Sequence, residues 1–334
     1  VHMPRACTLR QLKERLGEQL RIGNVEDFAC FQMTDGLQTH RLLPDATQLA
    51  MLEEKWAKLK AATTRASHLL FKRRFISFDE TLNPGDLTHA TLTYRQVVWD
   101  YLNYPVPEAE DTVKHIAAAI LHLEYDHFRL YIEARRLDDP SILQQLVPQV
   151  SLRNRQYRMW STKILEAFDE ICSKREALEA SRLLKMSAVL ERAKKMQLFG
   201  AHYWLGRQVE GVPPHEAPIP DAPQKNCAIN RKQKGGEYWI CLDLFGVRFV
   251  TADSQPGQSF SRGFLFNEET MERIYCCKAK GNIVQFMVKT VDPDDPKSGR
   301  VDQTITMSCP AAVDVSFCAF TIQELYYSRG QANR

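Results

Sequence analysis

The 334 residues are about twice the length of an ordinary single domain, so two or three packed units are expected. With 44% hydrophobic and 25% charged residues and a formal charge of only +3, the chain is neither disordered nor fibrous, and any basic surface must be local. Nine scattered cysteines without a CxxC pair fit a reducing cytosol better than a disulfide framework. There is no apolar run of about 18 residues to span a membrane, and residues 1–30 are too charged for a signal peptide.

In chain order, Thr8 is placed to cap a helix in which Leu9, Leu12, Leu16 and Leu20 recur at helical spacing, ending near Gly23. Phe28 to Met33 alternates as a strand, and Asp35-Gly36 marks a tight turn into residues 41–43. A short helix over 49–59 and a strand over 68–75 follow, and Asn83-Pro84-Gly85 breaks the chain. Residues 86–200 read as helical almost throughout. Val97, Val98, Tyr101 and Leu102 form one amphipathic segment stopped by Pro105 and Pro107; Val113, Ile116, Ala117, Ile120, Leu121 and Leu123 form the next. Two long helices are expected over 155–172 and 175–199, the second with Leu183, Met186, Val189, Leu190 and Ala193 on one arc.

After Phe199-Gly200 the pattern changes. Seven short runs rich in Val, Ile, Phe and Tyr (203–207, 237–244, 247–252, 263–266, 271–278, 283–291 and 301–309) read as strands, and Pro310 opens a final helix to about Arg329. Between the first two lies a proline-rich insertion, 209–225. Seven strands closed by one helix predict a small antiparallel barrel or sandwich plugged at one end.

The order of a mixed lobe, a helical bundle and a seven-strand barrel resembles a FERM domain. HLLFKRRF (68–75) resembles the closing strand of that family's ubiquitin-like lobe. LTYRQVVWDYLNYPV resembles the opening helix of its second lobe. ALEASRLLKMSAVLERAKKMQLFGAHYWL resembles the passage from bundle to third lobe, YWICLDLFGVRFV a hairpin of that lobe, and DVSFCAFTIQELYYSR its terminal helix. The wording is most similar to tails of unconventional myosins, plant-type kinesins and talin-like proteins. The resemblance implies an α+β, three-lobed FERM cloverleaf: a ubiquitin-like lobe over 1–80, an acyl-CoA-binding-protein-like bundle over 86–200, and a PH/PTB-like lobe over 201–330. Two features depart from the family pattern. The first strand of the ubiquitin-like lobe is missing, as if the chain were a fragment, and the insertion replaces a tight hairpin.

No nucleotide-binding, hydrolase or zinc-protease motif is present, so a non-enzymatic module is expected, with no cofactor and no metal. His115, His122, Glu124 and His127 are the best metal candidates, but His115 and His122 stand two turns apart and His127 leaves their face. Cys276 and Cys277 point to opposite faces of a strand and cannot chelate together. Basic clusters are the more promising chemistry: Lys72-Arg73-Arg74, a helix flank with Lys185, Arg192 and Lys195, then Arg231, Lys232 and Lys234, and finally Lys278 and Lys280. The resemblance implies a headgroup patch between first and third lobes built from Lys72, Arg73, Arg74, Lys278 and Lys280; the bland reading is a set of solvated, balanced charges. Nucleic acid is not expected, since no basic strand is interleaved with aromatics.

The third lobe also implies a peptide groove between a strand edge and the terminal helix, lined by Tyr275, Cys277, Phe317 and Phe320. That helix is apolar on two sides, with Val315, Cys318, Ile322 and Leu325 on one and Val313, Phe317 and Phe320 on the other. One stripe closes the barrel; the other is expected to be covered within the chain, with a partner as the alternative. The implied role is a cytoplasmic, cytoskeleton-associated adaptor: the cargo- or membrane-binding tail of a motor, whose partners are a peptide segment or the cytoplasmic tail of a membrane protein, together with acidic membrane lipids. The regulatory FERM portion of a kinase or phosphatase is the alternative, and acyl-CoA binding by the bundle a third reading without residues to support it.

Overall fold

The computed structural model describes residues 4, 6–35, 40–124, 136–152, 157–196, 198–210, 236–252, 261–265, 273–291 and 300–332. The chain divides into two compact units, Val1–Gly200 and Ala201–Arg334.

The first unit begins with α1 (Leu9–Leu20). Its Thr8 cap is a reciprocal box: Gln11 N–H donates to Thr8 Oγ1 and Thr8 N–H to Gln11 Oε1. Strands β1 (Phe28–Thr34), β2 (Arg41–Leu42) and β3 (Ser67–Arg73) form an antiparallel sheet in the order β2-β1-β3. Helix α2 (Leu49–Thr63) lies between the last two. Leu9, Leu12, Cys30, Leu43 and Leu52 make the core, with Leu69, Phe71 and Trp56 partly buried against it. Lys13 is fully buried on α1, and its ammonium is held by Asp45 at 2.8 Å and Glu26 at 3.0 Å. A lysine is tolerated there because two carboxylates replace its water.

The helical residues of this unit form α3 (Leu87–Leu102), α4 (Glu110–Glu124), the short α5 (Pro140–Leu143) and α6 (Gln149–Leu152), α7 (Tyr157–Cys172), the short α8 (Arg175–Leu178) and α9 (Arg182–Ala193). The single helix expected over 175–199 is thus two. Ser181 takes an extended backbone and its hydroxyl accepts from Leu184 N–H, so it starts a new helix rather than continuing the old one. The hydroxyl of the buried Tyr101 lies 2.9 Å from the Leu146 carbonyl and 3.2 Å from that of Val113, tying α3 to the start of α4 and to the turn after α5.

His40 joins the sheet residues to α3 by stacking on Trp99 at 4.3 Å. Burial, reinforced by the charge of Lys72, pushes its pKa down to about 3. The unfolded chain titrates near 6.5, so between roughly pH 6.5 and 3 the unfolded state binds the extra proton. The contribution of a neutral His40 is therefore complete above that range and is lost as pH falls through it. His40→Gln should flatten the acid side of the stability profile, raising stability at pH 4 relative to wild type by about 2 kcal/mol after allowance for solvent screening, as read from urea melts across pH.

The second unit is a closed barrel. Strands β4 (His202–Glu210), β5 (Glu237–Leu242), β6 (Gly246–Thr251), β7 (Ser261–Leu265), β8 (Arg273–Lys280), β9 (Ile283–Val291) and β10 (Arg300–Ser308) follow the order β10-β4-β5-β6-β7-β8-β9. Every pairing is antiparallel except β7 with β8, joined in parallel at Leu265 and Arg273. Helix α10 (Ala312–Ala332) packs chiefly on β8 and β9. It begins two residues after Pro310, which sits in the preceding turn. Its Val315, Cys318, Ala319 and Ile322 are buried, as are the barrel residues Ile240, Phe249, Val284, Phe286 and Ile305. The proline-rich insertion from residue 211, Gly36 of the expected turn, and Arg231, Lys232 and Lys234 lie outside the described residues.

Candidate functional site

The sequence points to two sets of residues as candidates for binding: the basic cluster that ends β3, and the strand and helix that close the barrel.

The three cations after Phe71 have three different fates. Arg73 is 5% exposed. Its guanidinium makes two parallel bonds to Glu80, at 2.8 and 2.9 Å, and also donates toward His89 Nε2 at 2.9 Å and Thr93 Oγ1 at 3.2 Å. Gln96 of α3 closes on its backbone, accepting from Arg73 N–H at 2.8 Å and donating to Arg73 O at 3.2 Å. Arg73 therefore fastens β3 to α3, and its burial leaves no donor exposed to a headgroup. Arg74 lies 3.6 Å from Asp45, and Lys72 is placed over the ring of Phe31 at 4.6 Å and of Trp99 at 5.9 Å. Contiguity in sequence made these three look like one patch; strand alternation and two acidic neighbours divide them. In the second unit, Lys278 and Lys280 are exposed on β8.

On the flank of α9, Arg192 is half-buried and donates to the Ala188 carbonyl at 2.9 Å, while Lys195 is exposed in the turn past the helix end. The histidine set does not converge. His115 donates through Nδ1 to the Asp111 carbonyl at 2.7 Å, His122 packs edge-on to Phe168, and Glu124 accepts from the Tyr94 hydroxyl at 2.8 Å. His127 lies outside the described residues, and among those described no group of His, Cys, Asp and Glu is arranged to hold a metal.

In the barrel, Ile274 pairs with Val288, Cys276 with Met287 and Cys277 with Phe286, so Tyr275 is an extra residue in β8. Val288 and Phe286 are fully buried, which puts Ile274 and Cys277 on the inner side. Tyr275 instead stands with Lys289, whose ammonium is 5.9 Å from its ring. The bulge separates Tyr275 and Cys277, which plain alternation would have placed on one face. Burial pushes the Cys277 thiol up to about 12, so it is no nucleophile at neutral pH. Its backbone carbonyl accepts from the Ser316 hydroxyl of α10 at 3.2 Å, a contact with no sequence signal beyond a small polar residue near a helix start.

The second stripe of α10 is not covered as expected: Val313 is 57% and Phe320 58% exposed, with Phe317 between them half-buried. Among the described residues no helix is long and apolar enough to cross a membrane.

No protein-family model and no curated protein sequence matches the chain. Solved structures do. The human myosin 7b C-terminal MyTH4-FERM domain, in complex with the harmonin-a PDZ3 domain, aligns with 96% of this chain and 56% of its own at a TM-score of 0.64 and 14% identity. A Dictyostelium discoideum myosin VII MyTH4-FERM domain (MF2, a mutant) aligns with 97% of this chain and 56% of its own at 0.63 and 15%. Drosophila merlin, as the complex of its FERM and C-terminal domains, aligns with 100% of this chain and 94% of its own at 0.63 and 14%. The chain thus spans little more than half of the myosin chains it matches. At these identities the likeness establishes the fold, which is the α+β fold of FERM domains.

Proposed function

We propose that this chain is a protein-interaction module, a non-catalytic FERM-type adaptor serving as the cargo- or membrane-binding region of a myosin-type motor or a related cytoskeletal linker, on the cytoplasmic side of a membrane. The observation that carries this reading is the stripe of exposed Val313 and Phe320 with half-buried Phe317 between them, on a helix that packs against β8, in a fold shared with myosin VII tails and merlin. Large apolar side chains left in water on a rigid helix are the usual mark of a surface that a partner covers. The myosin 7b relative was solved with a PDZ domain, which supports a protein as the partner class. The docking element is taken to be a peptide segment, such as the cytoplasmic tail of a membrane protein, with Phe317 and Phe320 supplying apolar contact and Tyr275 and Cys277 marking the strand beneath. Lys278 and Lys280 would add a salt-sensitive attraction to acidic lipids.

A random peptide library displayed on phage and selected on the wild-type protein tests the groove. Selected peptides should lose at least about tenfold in affinity on Phe320→Ser, a change at an exposed position that leaves the fold intact. Peptides that bind Phe320→Ser as well as wild type would remove the groove from this reading.

A further inference from the structure

We infer that Ser316 is a specificity-determining residue of the peptide groove: its hydroxyl holds a backbone acceptor on β8 that an added peptide strand would use, so a peptide pairing there competes with the helix for it. This role presupposes the groove proposed above. β8 is joined to β9 from Arg273 to Lys280, but to β7 only at Leu265 and Arg273. Past Arg273 its other edge has no strand partner among the described residues. Lys280 and Ile283 are register partners across the two residues Gly281 and Asn282, and partners that close so short a turn exchange both backbone hydrogen bonds. Bonded and non-bonded pairs then alternate along the ladder. Lys278 with Gln285 is therefore bonded, whereas Cys277 with Phe286 and Ala279 with Val284 are not. The backbone N–H and C=O of Cys277 and Ala279 point away from β9, toward the open edge.

The helix reaches that edge through a side chain of the stripe itself. Ser316 stands three residues after Val313 and four before Phe320, so it shares the side of α10 that carries these exposed apolar residues. It is half-buried there, and its hydroxyl donates to the Cys277 carbonyl at 3.2 Å. A hydroxyl set within an apolar stripe thus satisfies an acceptor that the sheet leaves without a partner strand. A strand added to β8 would seek backbone bonds at both Cys277 and Ala279. At Cys277 the carbonyl is already engaged, so a new bond there brings little net gain. Without the hydroxyl, the carbonyl of this half-buried residue would be short of a donor until a peptide supplied one. Ser316 therefore weakens peptides that present an N–H to Cys277 and spares those that present none, such as one with proline at that position.

The test takes peptides selected on the wild-type protein that lose affinity on Phe320→Ser, and remakes them with each backbone amide N-methylated in turn. All are titrated against wild type, Ser316→Ala and Ser316→Thr. Ser316→Ala should bind the unmethylated peptides about three- to tenfold more tightly, the range expected for one hydrogen bond gained net. That gain should vanish when one particular amide is methylated, a coupling that a merely structural role of Ser316 would not produce. Ser316→Thr keeps the hydroxyl and should bind as wild type. Affinity unchanged or lowered in Ser316→Ala, a gain that survives methylation of every amide, or a Thr variant that behaves as the Ala variant would overturn the role of Ser316 and leave the groove standing. If no selected peptide senses Phe320→Ser, the groove itself falls, and the role of Ser316 with it.

Discussion

Replacing Arg73 by Met is expected to lower the stability of the first unit by about 3–5 kcal/mol, the largest loss among its basic residues. The substitution keeps the aliphatic bulk and removes the charge. Glu80, whose side chain is 12% exposed, then keeps a carboxylate that water reaches poorly, and His89 and Thr93 each lose a donor. Arg73→Lys should recover only part of the loss, because one ammonium cannot reproduce the two parallel bonds to Glu80. Glu80→Gln in the Arg73→Met background should cost less than in wild type, a coupling of about 1–3 kcal/mol, since the partner charge is already gone. Lys72→Ala, by contrast, removes a cation lying over Phe31 and should cost no more than about 1 kcal/mol. Urea melts of these five variants decide it: an Arg73→Met protein within about 1 kcal/mol of wild type would mean that the guanidinium is solvated and open to an external anion after all.

That contrast shows what a linear reading can and cannot recover. The period of Leu9, Leu12 and Leu16 and the alternation of the barrel strands announce their elements, because burial of one face imposes a fixed spacing. The Thr8 cap was legible for the same reason: its partner Gln11 is three residues away. Arg73 was not legible, because its partners Glu80, His89 and Gln96 come from a loop and a helix whose approach only the packed structure defines. The same holds for Tyr275. One extra residue in β8 reverses the alternation that placed it beside Cys277, and nothing in RIYCCKAK marks where the extra residue falls.

Gly200→Ala is expected to cost at least about 3 kcal/mol, and Gly281→Ala about 1 kcal/mol, although both glycines have left-handed backbones, with φ of 72° and 59°. The backbone penalty is common to the two. What differs is the surroundings: a Cβ on Gly281 meets nothing within 4 Å, whereas one on Gly200 would stand 2.2 Å from the carbonyl oxygen of Ile76. That oxygen belongs to main chain and has no rotamer to escape through, so relief requires moving a segment whose Phe78 packs on Phe199 at 5.5 Å. Gly200 is therefore needed for close approach as well as for its dihedral, and it fixes how the chain passes out of the helical residues after Leu198. Asn, which tolerates the left-handed region, should rescue position 281 to within a few tenths of a kcal/mol and should not rescue position 200. Calorimetric melting temperatures of the Ala and Asn variants at both positions test this, and equal losses at the two sites would show that the approach to Ile76 can relax at little cost.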